Sequence, residues 1–248
     1  MKKSKESIFK EIKNLWNNEN YSSKHGVYWD IYEHIFSGFN LNKKVNILEI
    51  GVDTGIGMEL LKRVFPNSNI CGVDIRPLNS TVGKVWVGDQ KDLQFLNEVN
   101  LNEGPFDIIF DDGSHVVGDQ IKTFEYLFPK INSGGIYIVE DTHTSYWESH
   151  GGGYKSNSFI NYTKKLTDLI NYWSWKKGYQ TVDGNWNSNL EDIREFNSYG
   201  IDPNIYVNLN CISSYPNIVA FYKSNVEWEY QSDNFWIEND PLYKKIDR

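Results

Sequence analysis

Between residues 46 and 139, short continuous apolar runs alternate with segments whose apolar residues have helical spacing. Five short apolar runs predict buried β-strands, and each is followed directly by a glycine or an acidic residue. They are Asn46–Ile50, Ile70–Val73, Lys84–Val87, Phe106–Phe110 and Ile136–Val139. Segments with helical spacing lie between them: Met58–Phe65, Lys91–Val99 and Val116–Phe128. This alternation predicts an α/β fold with a mostly parallel, doubly wound sheet.

The flanking segments predict additions to this sheet. Two amphipathic helices, Ser4–Asn17 and Tyr28–Phe39, should cover its edge and a ligand pocket. Tyr28 or Glu33 could reach the ligand there, although packing is favoured. The later segments are a loop Thr142–Asn157, a helix Ser158–Trp175, a loop Gly178–Ser188, a short helix Leu190–Phe196, two strands Tyr206–Ile212 and Asn217–Tyr222, and a surface tail Val226–Arg248.

We expect a single domain over residues 1–248. Its parts are an N-terminal helical cover (1–40), a ligand-binding core (44–141), a lid or substrate insertion (142–200) and a closing antiparallel hairpin (205–223). The insertion should lie over the carboxyl ends of the strands, where α/β sheets bind ligands. A role in dimerisation is the alternative for this insertion.

Composition and charge narrow the class of partner. Of 248 residues, 40% are hydrophobic, enough for a sizeable core. The net charge of −8 leaves no electrostatic footprint for nucleic acid and favours a small or neutral substrate. The N-terminus lacks a signal-peptide core, and no apolar run is long enough to span a membrane. Cys71 and Cys211 are far apart, so we expect a reduced, cytoplasmic protein.

A glycine-rich turn joins the first strand of the core to its first helix. Glu49, Gly51, Gly55 and Gly57 form the pattern ExGxxxGxG, and Asp74 ends the next strand. Such a turn lets a ligand approach the backbone, and the acid can bind ribose hydroxyls, although a purely structural turn is the alternative. The pattern resembles the first motif of class I S-adenosylmethionine (SAM) methyltransferases and differs from the dinucleotide spacing GxGxxG.

Polar residues follow the later strands as well. Asp89 or Gln90 could bind an adenine amino group, or they could cap the next helix. The acids after the fourth and fifth strands should converge, because these two strands are neighbours; they are Asp111, Asp112, Glu140 and Asp141. Such a cluster of like charges favours a cation between them, and an all-oxygen set suits Mg²⁺, unless one or two of the acids only cap helices.

A histidine follows each acidic pair. His115 lies three residues after Asp112, near the same pocket, where an imidazole could accept a hydroxyl proton. A structural histidine is the alternative, and His143, just after Asp141, is the competing candidate for the base.

Two of these segments resemble a known group of enzymes. FDDGSH (110–115) and GGIYIVEDTHTSYW (134–147) look like the metal-dependent sugar O-methyltransferases of macrolide and related antibiotic pathways, of the mycinamicin and macrocin type. The resemblance implies a Rossmann-like class I methyltransferase sheet with SAM and Mg²⁺ as cofactors. It further implies that Asp112, Glu140 and Asp141 bind the metal and that His115 is the base.

The full set of expected contacts follows from these observations together. The expected cofactor-binding residues are Glu49, Gly51, Gly55, Asp74, Asp89, Gln90 and Asp111. The expected substrate contacts are His143, Tyr146 and Trp147. The chain has no room for the large N-terminal domain that some members of the group carry, so their oligomeric arrangement is not expected to transfer, and a homo-oligomer is left open.

The expected function is SAM- and Mg²⁺-dependent methylation of a hydroxyl on a sugar or glycan precursor, in a surface polysaccharide or a natural-product glycoside. One alternative acceptor is a phosphate- or phosphoramidate-type oxygen, which needs little help from a base. Another alternative is a non-catalytic SAM-binding module. Iron-dependent hydroxylation is disfavoured because the acidic cluster lacks paired histidines.

Overall fold

A computed structural model of the chain describes residues 4–19, 26–154, 157–178, 200–206 and 208–224. The predicted helix Leu190–Phe196, the tail Val226–Arg248 and nearly all of the predicted loop Gly178–Ser188 lie outside these residues. In the part that is described, no helix combines the length and apolar character needed to cross a membrane.

One seven-stranded sheet forms the centre of the fold, in the order β3-β2-β1-β4-β5-β7-β6. Strands β1 to β5 are parallel, whereas β7 runs antiparallel to both β5 and β6. The strands are β1 (Asn46–Ile50), β2 (Asn69–Asp74), β3 (Val85–Val87), β4 (Ile108–Asp111), β5 (Ile136–Val139), β6 (Leu209–Tyr215) and β7 (Ile218–Lys223). The predicted doubly wound sheet with a closing antiparallel hairpin is therefore confirmed.

Seven α-helices are described around this sheet. They are α1 (Lys5–Glu19), α2 (Tyr28–Ile35), α3 (Ile56–Val64), α4 (Leu93–Glu103), α5 (Val117–Leu127), α6 (Phe159–Gly178) and α7 (Pro203–Tyr206). Helix α4 begins two residues later than predicted, because the Asp92 carboxylate caps it by accepting from the backbone N–H groups of Gln94 and Phe95. The four-residue helix α7 was not predicted and lies where the first hairpin strand was expected to begin.

Two hydrophobic cores cover the two faces of the sheet. Successive strand residues point to opposite faces, so Phe110 packs with α1, α2 and α3 while Ile109 packs with α4, α5 and α6. On the first face, the Tyr32 ring meets Phe110 edge-on, with ring centroids 5.5 Å apart. This packing fixes α2, and with it Tyr28 at its first turn, against the central strands.

Candidate active site

A cavity of about 570 Å³ lies at the carboxyl ends of the parallel strands. Open α/β sheets bind ligands at this edge, because the chain segments leaving neighbouring strands diverge there. One side, which we name the glycine wall, comprises Gly51, Asp53, Asp74, Ile75 and Arg76. The other side, which we name the acidic wall, comprises Asp112, Gly113, Ser114, His115 and Asp141. Tyr28, Ile50, Val73, Gly88, Asp89 and Gln90 complete the lining.

The glycine turn brings the two walls into direct contact. Gly51 has a φ of +84°, and a Cβ atom there would lie 2.0 Å from the Asp112 carbonyl oxygen. A side chain at Gly57 would lie 2.1 Å from Glu49 Oε1, so the buried Glu49 carboxylate packs beneath the first turn of α3. Glu49 does not line the cavity, and its expected contact with the cofactor stays a prediction. Gly55 supports the same turn as the left-handed N-cap of α3.

Asp74 organises the glycine wall through backbone hydrogen bonds. Its carboxylate accepts from the N–H groups of Asp53 and Arg76, each at 2.9 Å. The Arg76 guanidinium also contacts Asp53, with Nη2 2.7 Å from Oδ1. Each carboxylate oxygen can accept more than one hydrogen bond, so Asp74 keeps the capacity to accept from ribose hydroxyls. Its predicted role in binding ribose remains a prediction.

Asp89 and Gln90 have different environments at the end of β3. The exposed Asp89 carboxylate accepts from the backbone N–H of Lys91 at 2.9 Å and lines the cavity. Neither residue caps α4, since Asp92 does so. The Gln90 side chain is buried: its Oε1 accepts from the Ser114 N–H at 2.7 Å, and its Nε2 donates to Asp111 Oδ1 at 3.2 Å.

Asp111 lies behind the acidic wall, 1% exposed and outside the cavity lining. The Tyr137 hydroxyl donates to its Oδ2 at 2.9 Å, and burial raises the pKa of the Asp111 carboxyl to about 6. The sequence predicted that Gln90 and Asp111 contact the cofactor. Their side chains bond to one another, and Gln90 also bonds to the loop that carries Ser114. Gln90 still lines the cavity, so its predicted contact with the cofactor, like that of Asp111, stays a prediction.

Three side chains of the acidic wall bring their donor atoms within 4.8 Å of one another: Asp112, His115 and Asp141. His115 Nε2 is 3.9 Å from Asp112 Oδ1 and 3.6 Å from Asp141 Oδ2. The Tyr28 hydroxyl, from α2, donates a hydrogen bond to Asp141 Oδ1. The expected convergence of the β4 and β5 strand ends is therefore present.

The third expected metal ligand, Glu140, is fully buried beside this group and is not part of the cavity lining. Its charge nevertheless acts on the same hydroxyl, that of Tyr28, as the charges of Asp112 and Asp141. Burial first, and then the carboxylates of Asp141, Glu140 and Asp112, raise the pKa of Tyr28 well above its ordinary value. The pKa of the Tyr28 hydroxyl therefore responds to all three acids of the predicted metal site.

The backbone is left-handed at three cavity residues that are not glycine. Asp53, His115 and Asp141 have φ values of 49°, 56° and 53°, and among the described residues only Asn217 shares this property. Such conformations are unfavourable for residues with a Cβ and tend to occur at functional sites. The Thr144 hydroxyl lies 2.9 Å from the His115 carbonyl oxygen and 3.0 Å from that of Asp141, which ties the two turns together.

Burial also controls the charge of His115. The side chain is 25% exposed. Burial lowers the pKa of His115 from its ordinary value, and the opposing charges of Asp141 and Glu140 offset part of this effect. A lowered pKa favours the neutral imidazole near pH 7, which is the form that accepts a proton.

The three expected substrate contacts form a rim beside the acidic wall. His143 Nδ1 is 4.0 Å from Asp141 Oδ1, and the His143 ring meets Trp147 edge-on at 4.9 Å. Tyr146 and Trp147 are about half exposed. Their positions beyond the cavity lining suit contact with a group that projects from the cavity.

Two residues that matter for the acidic wall were not assigned from the sequence. Thr144 gave no separate signal, and Tyr28 was favoured as a packing residue because it sits on the apolar face of α2. Glu33, the alternative contact from the same helix, instead accepts from Lys13 at 2.7 Å. The only available signal was a hydroxyl-bearing side chain at the start of an otherwise apolar helix face.

The sheet order, the antiparallel hairpin and the cavity at the strand ends define the class I methyltransferase fold. No family model matches the chain. It is 34% identical over 157 residues to an L-olivosyl-oleandolide 3-O-methyltransferase of Streptomyces antibioticus, covering 57% of this chain and 41% of the relative. It is 35% identical over 156 residues to the mycinamicin VI 2''-O-methyltransferase of Micromonospora griseorubida, covering 57% of this chain and 39% of the relative.

Solved structures give the same relationship. A methyltransferase of the mycinamycin biosynthetic pathway, in complex with Mg, SAH and mycinamycin VI, superposes with a TM-score of 0.68 at 25% identity. The match covers 89% of this chain and 56% of that one. The predicted resemblance to macrolide sugar O-methyltransferases is therefore confirmed, and the chain spans about two fifths of the length of these curated relatives.

Proposed function

We propose that this chain is a SAM-dependent, Mg²⁺-dependent O-methyltransferase that acts on a sugar hydroxyl. The observation that carries the proposal is one cavity with a glycine turn and Asp74 on one side and Asp112, His115 and Asp141 on the other. Relatives that methylate glycosides, by their names, and a structural neighbour that contains Mg and SAH support it.

The residues present fit a hard divalent cation. Asp112 and Asp141, which line the cavity, and Glu140, buried next to Asp141, would supply the carboxylate oxygens that Mg²⁺ prefers. The charges of all three act on the Tyr28 hydroxyl. When bound there, Mg²⁺ would lower the pKa of a nearby substrate hydroxyl. The Tyr28 hydroxyl, which donates to Asp141, orients that carboxylate.

The remaining steps belong to the chain itself. His115 Nε2, kept neutral by burial, accepts the hydroxyl proton as the oxygen attacks the methyl carbon of SAM. The bond between that carbon and sulfur breaks, and S-adenosylhomocysteine leaves. The contact between Gly51 and Asp112 fixes the spacing of the two walls, so that oxygen, methyl carbon and sulfur can be held in line. Two residues of the rim, His143 and Trp147, contact the sugar beyond its reacting hydroxyl.

A methyl-transfer assay tests the proposal directly. The full chain is incubated with SAM and a panel of glycosides and sugar nucleotides, and a methylated product is sought by mass spectrometry. EDTA should abolish the reaction, and added Mg²⁺ should restore it. Full activity in EDTA would remove the metal from the mechanism, and methylation of phosphate-type acceptors alone would transfer the proposal to that class of oxygen.

A further inference from the structure

The acidic wall contains a nitrogen donor as well as oxygen donors. His115 Nε2 lies 3.6 Å from Asp141 Oδ2 and 3.9 Å from Asp112 Oδ1. Donors bound to one tetrahedral Zn²⁺ at about 2.0–2.1 Å lie roughly 3.3 Å apart. The two distances from His115 Nε2 exceed this separation by less than 1 Å. Mg²⁺, in contrast, is bound mainly by oxygen and has little preference for imidazole.

The His115 ring is not fixed in one orientation by its second nitrogen. Nδ1 is buried and has no hydrogen-bond partner among the residues that the structure describes. A histidine that binds a resident metal normally donates its other ring N–H to a carboxylate or carbonyl group. Nδ1 of His143 is also without a hydrogen-bond partner among these residues, so the two histidines differ in their distances from the acids and not in this respect.

We propose that Asp112, His115 and Asp141 form a second, nitrogen-containing ligand set that captures Zn²⁺ and thereby removes the catalytic base. Zn²⁺ bound to His115 Nε2 occupies the lone pair that would accept the hydroxyl proton. Methyl transfer then stops although the carboxylates still hold a divalent ion. The inhibition rests on the proposed function. The binding of Zn²⁺, but not of Mg²⁺, through His115 does not rest on it.

His143 provides a matched control on the same wall. Its Nδ1 is 4.0 Å from Asp141 Oδ1, but it is not part of the group of three donors, and its ring is packed against Trp147. If Zn²⁺ binds through the group of three, then His115→Ala should weaken Zn²⁺ binding and His143→Ala should not.

The test is calorimetric titration of the metal-stripped full chain with ZnCl₂ and, separately, with MgCl₂. For His115→Ala we expect Zn²⁺ affinity to fall at least about 10-fold while Mg²⁺ affinity stays within about threefold. His143→Ala should leave both affinities unchanged. Equal losses for the two metals, unchanged Zn²⁺ binding in His115→Ala, or a Zn²⁺ loss confined to His143→Ala would each overturn the proposal.

A measurement on the unsubstituted chain guards against misfolded variants. The ¹⁵N resonance of His115 Nε2 should shift much more on addition of Zn²⁺ than on addition of Mg²⁺, because only Zn²⁺ would be bound directly. Equal shifts with the two metals contradict the proposal. One equivalent of Zn²⁺ should also inhibit methyl transfer in excess Mg²⁺. If no methyl transfer is found at all, the proposed function fails, while the two binding measurements still decide the ligand set.

Discussion

The two walls of the cavity are built in different ways. Main-chain groups hold the glycine wall: a turn at Gly51, and an Asp74 carboxylate that accepts from two nearby N–H groups. Side chains from distant segments hold the acidic wall, among them Tyr28, Gln90 and Thr144. A ligand that many proteins share can be bound by a local motif, whereas the reacting groups depend on contacts assembled by the whole fold.

The largest expected effect is the loss of the proposed base. In His115→Ala, kcat should fall by about 10²–10⁴-fold, because no group then accepts the hydroxyl proton. The affinity for S-adenosylhomocysteine, measured calorimetrically, should stay unchanged because the glycine wall is intact. Since burial lowers the pKa of His115 from its ordinary value, the wild-type rate should persist to a lower pH than an unperturbed imidazole would allow and decline only in more acidic solution. A comparable loss in His143→Ala with normal turnover in His115→Ala would assign the base to His143.

One substitution on each wall tests whether the acidic wall binds the metal and the glycine wall binds the donor independently. Asp141→Asn should weaken Mg²⁺ binding and reduce kcat by about 100-fold, with donor affinity preserved. Asp74→Asn should weaken binding of S-adenosylhomocysteine by about 10-fold and preserve Mg²⁺ binding. Both affinities are measured by calorimetry on each variant. If either substitution impairs both ligands equally, the walls do not act separately.

The N-terminal helical cover should influence the metal through one hydroxyl. Tyr28→Phe removes the hydrogen bond to Asp141 while keeping the ring, and Mg²⁺ affinity should fall by about 10-fold. Tyr162→Phe is the matched control, since that hydroxyl donates to Glu125 on another part of the fold. Identical Mg²⁺ affinities in the two variants would show that α2 only packs.

Gln90 should matter for stability more than for direct contact with a ligand. Gln90→Ala removes the acceptor of the Ser114 N–H and one of the donors to the Asp111 carboxylate, which should cost about 1–3 kcal/mol in the free energy of unfolding. Urea denaturation measures this cost, and exposed Gln94→Ala should show almost none. A variant of normal stability with weakened donor binding would instead support the cofactor contact that the sequence predicted.

The smallest expected effect lies on the rim. Trp147→Ala should raise the KM for the acceptor by about 2- to 10-fold, because one aromatic contact contributes about 0.5–1.5 kcal/mol, and the KM for SAM should not change. Leu101→Ala, an exposed apolar position on α4, is the control. A change in the KM for SAM instead would place Trp147 beside the donor.

The sequence predicted the parallel strands closely, because each is a continuous apolar run and parallel strand ends meet at one edge of the sheet. The same rule predicted that Asp112, His115 and Asp141 converge. It could not predict which polar side chains face inward. The bond between Tyr28 and Asp141 joins residues 113 positions apart, and the roles of Gln90 depend on residues from β4 and its following loop.

The close approach of Gly51 to the Asp112 carbonyl oxygen makes the cavity sensitive to a single methyl group. A Cβ at residue 51 would lie 2.0 Å from that oxygen, so any other residue there would have to displace the backbone of the acidic wall. The separation between the donor side and the acceptor side that we propose therefore depends on glycine at this one position.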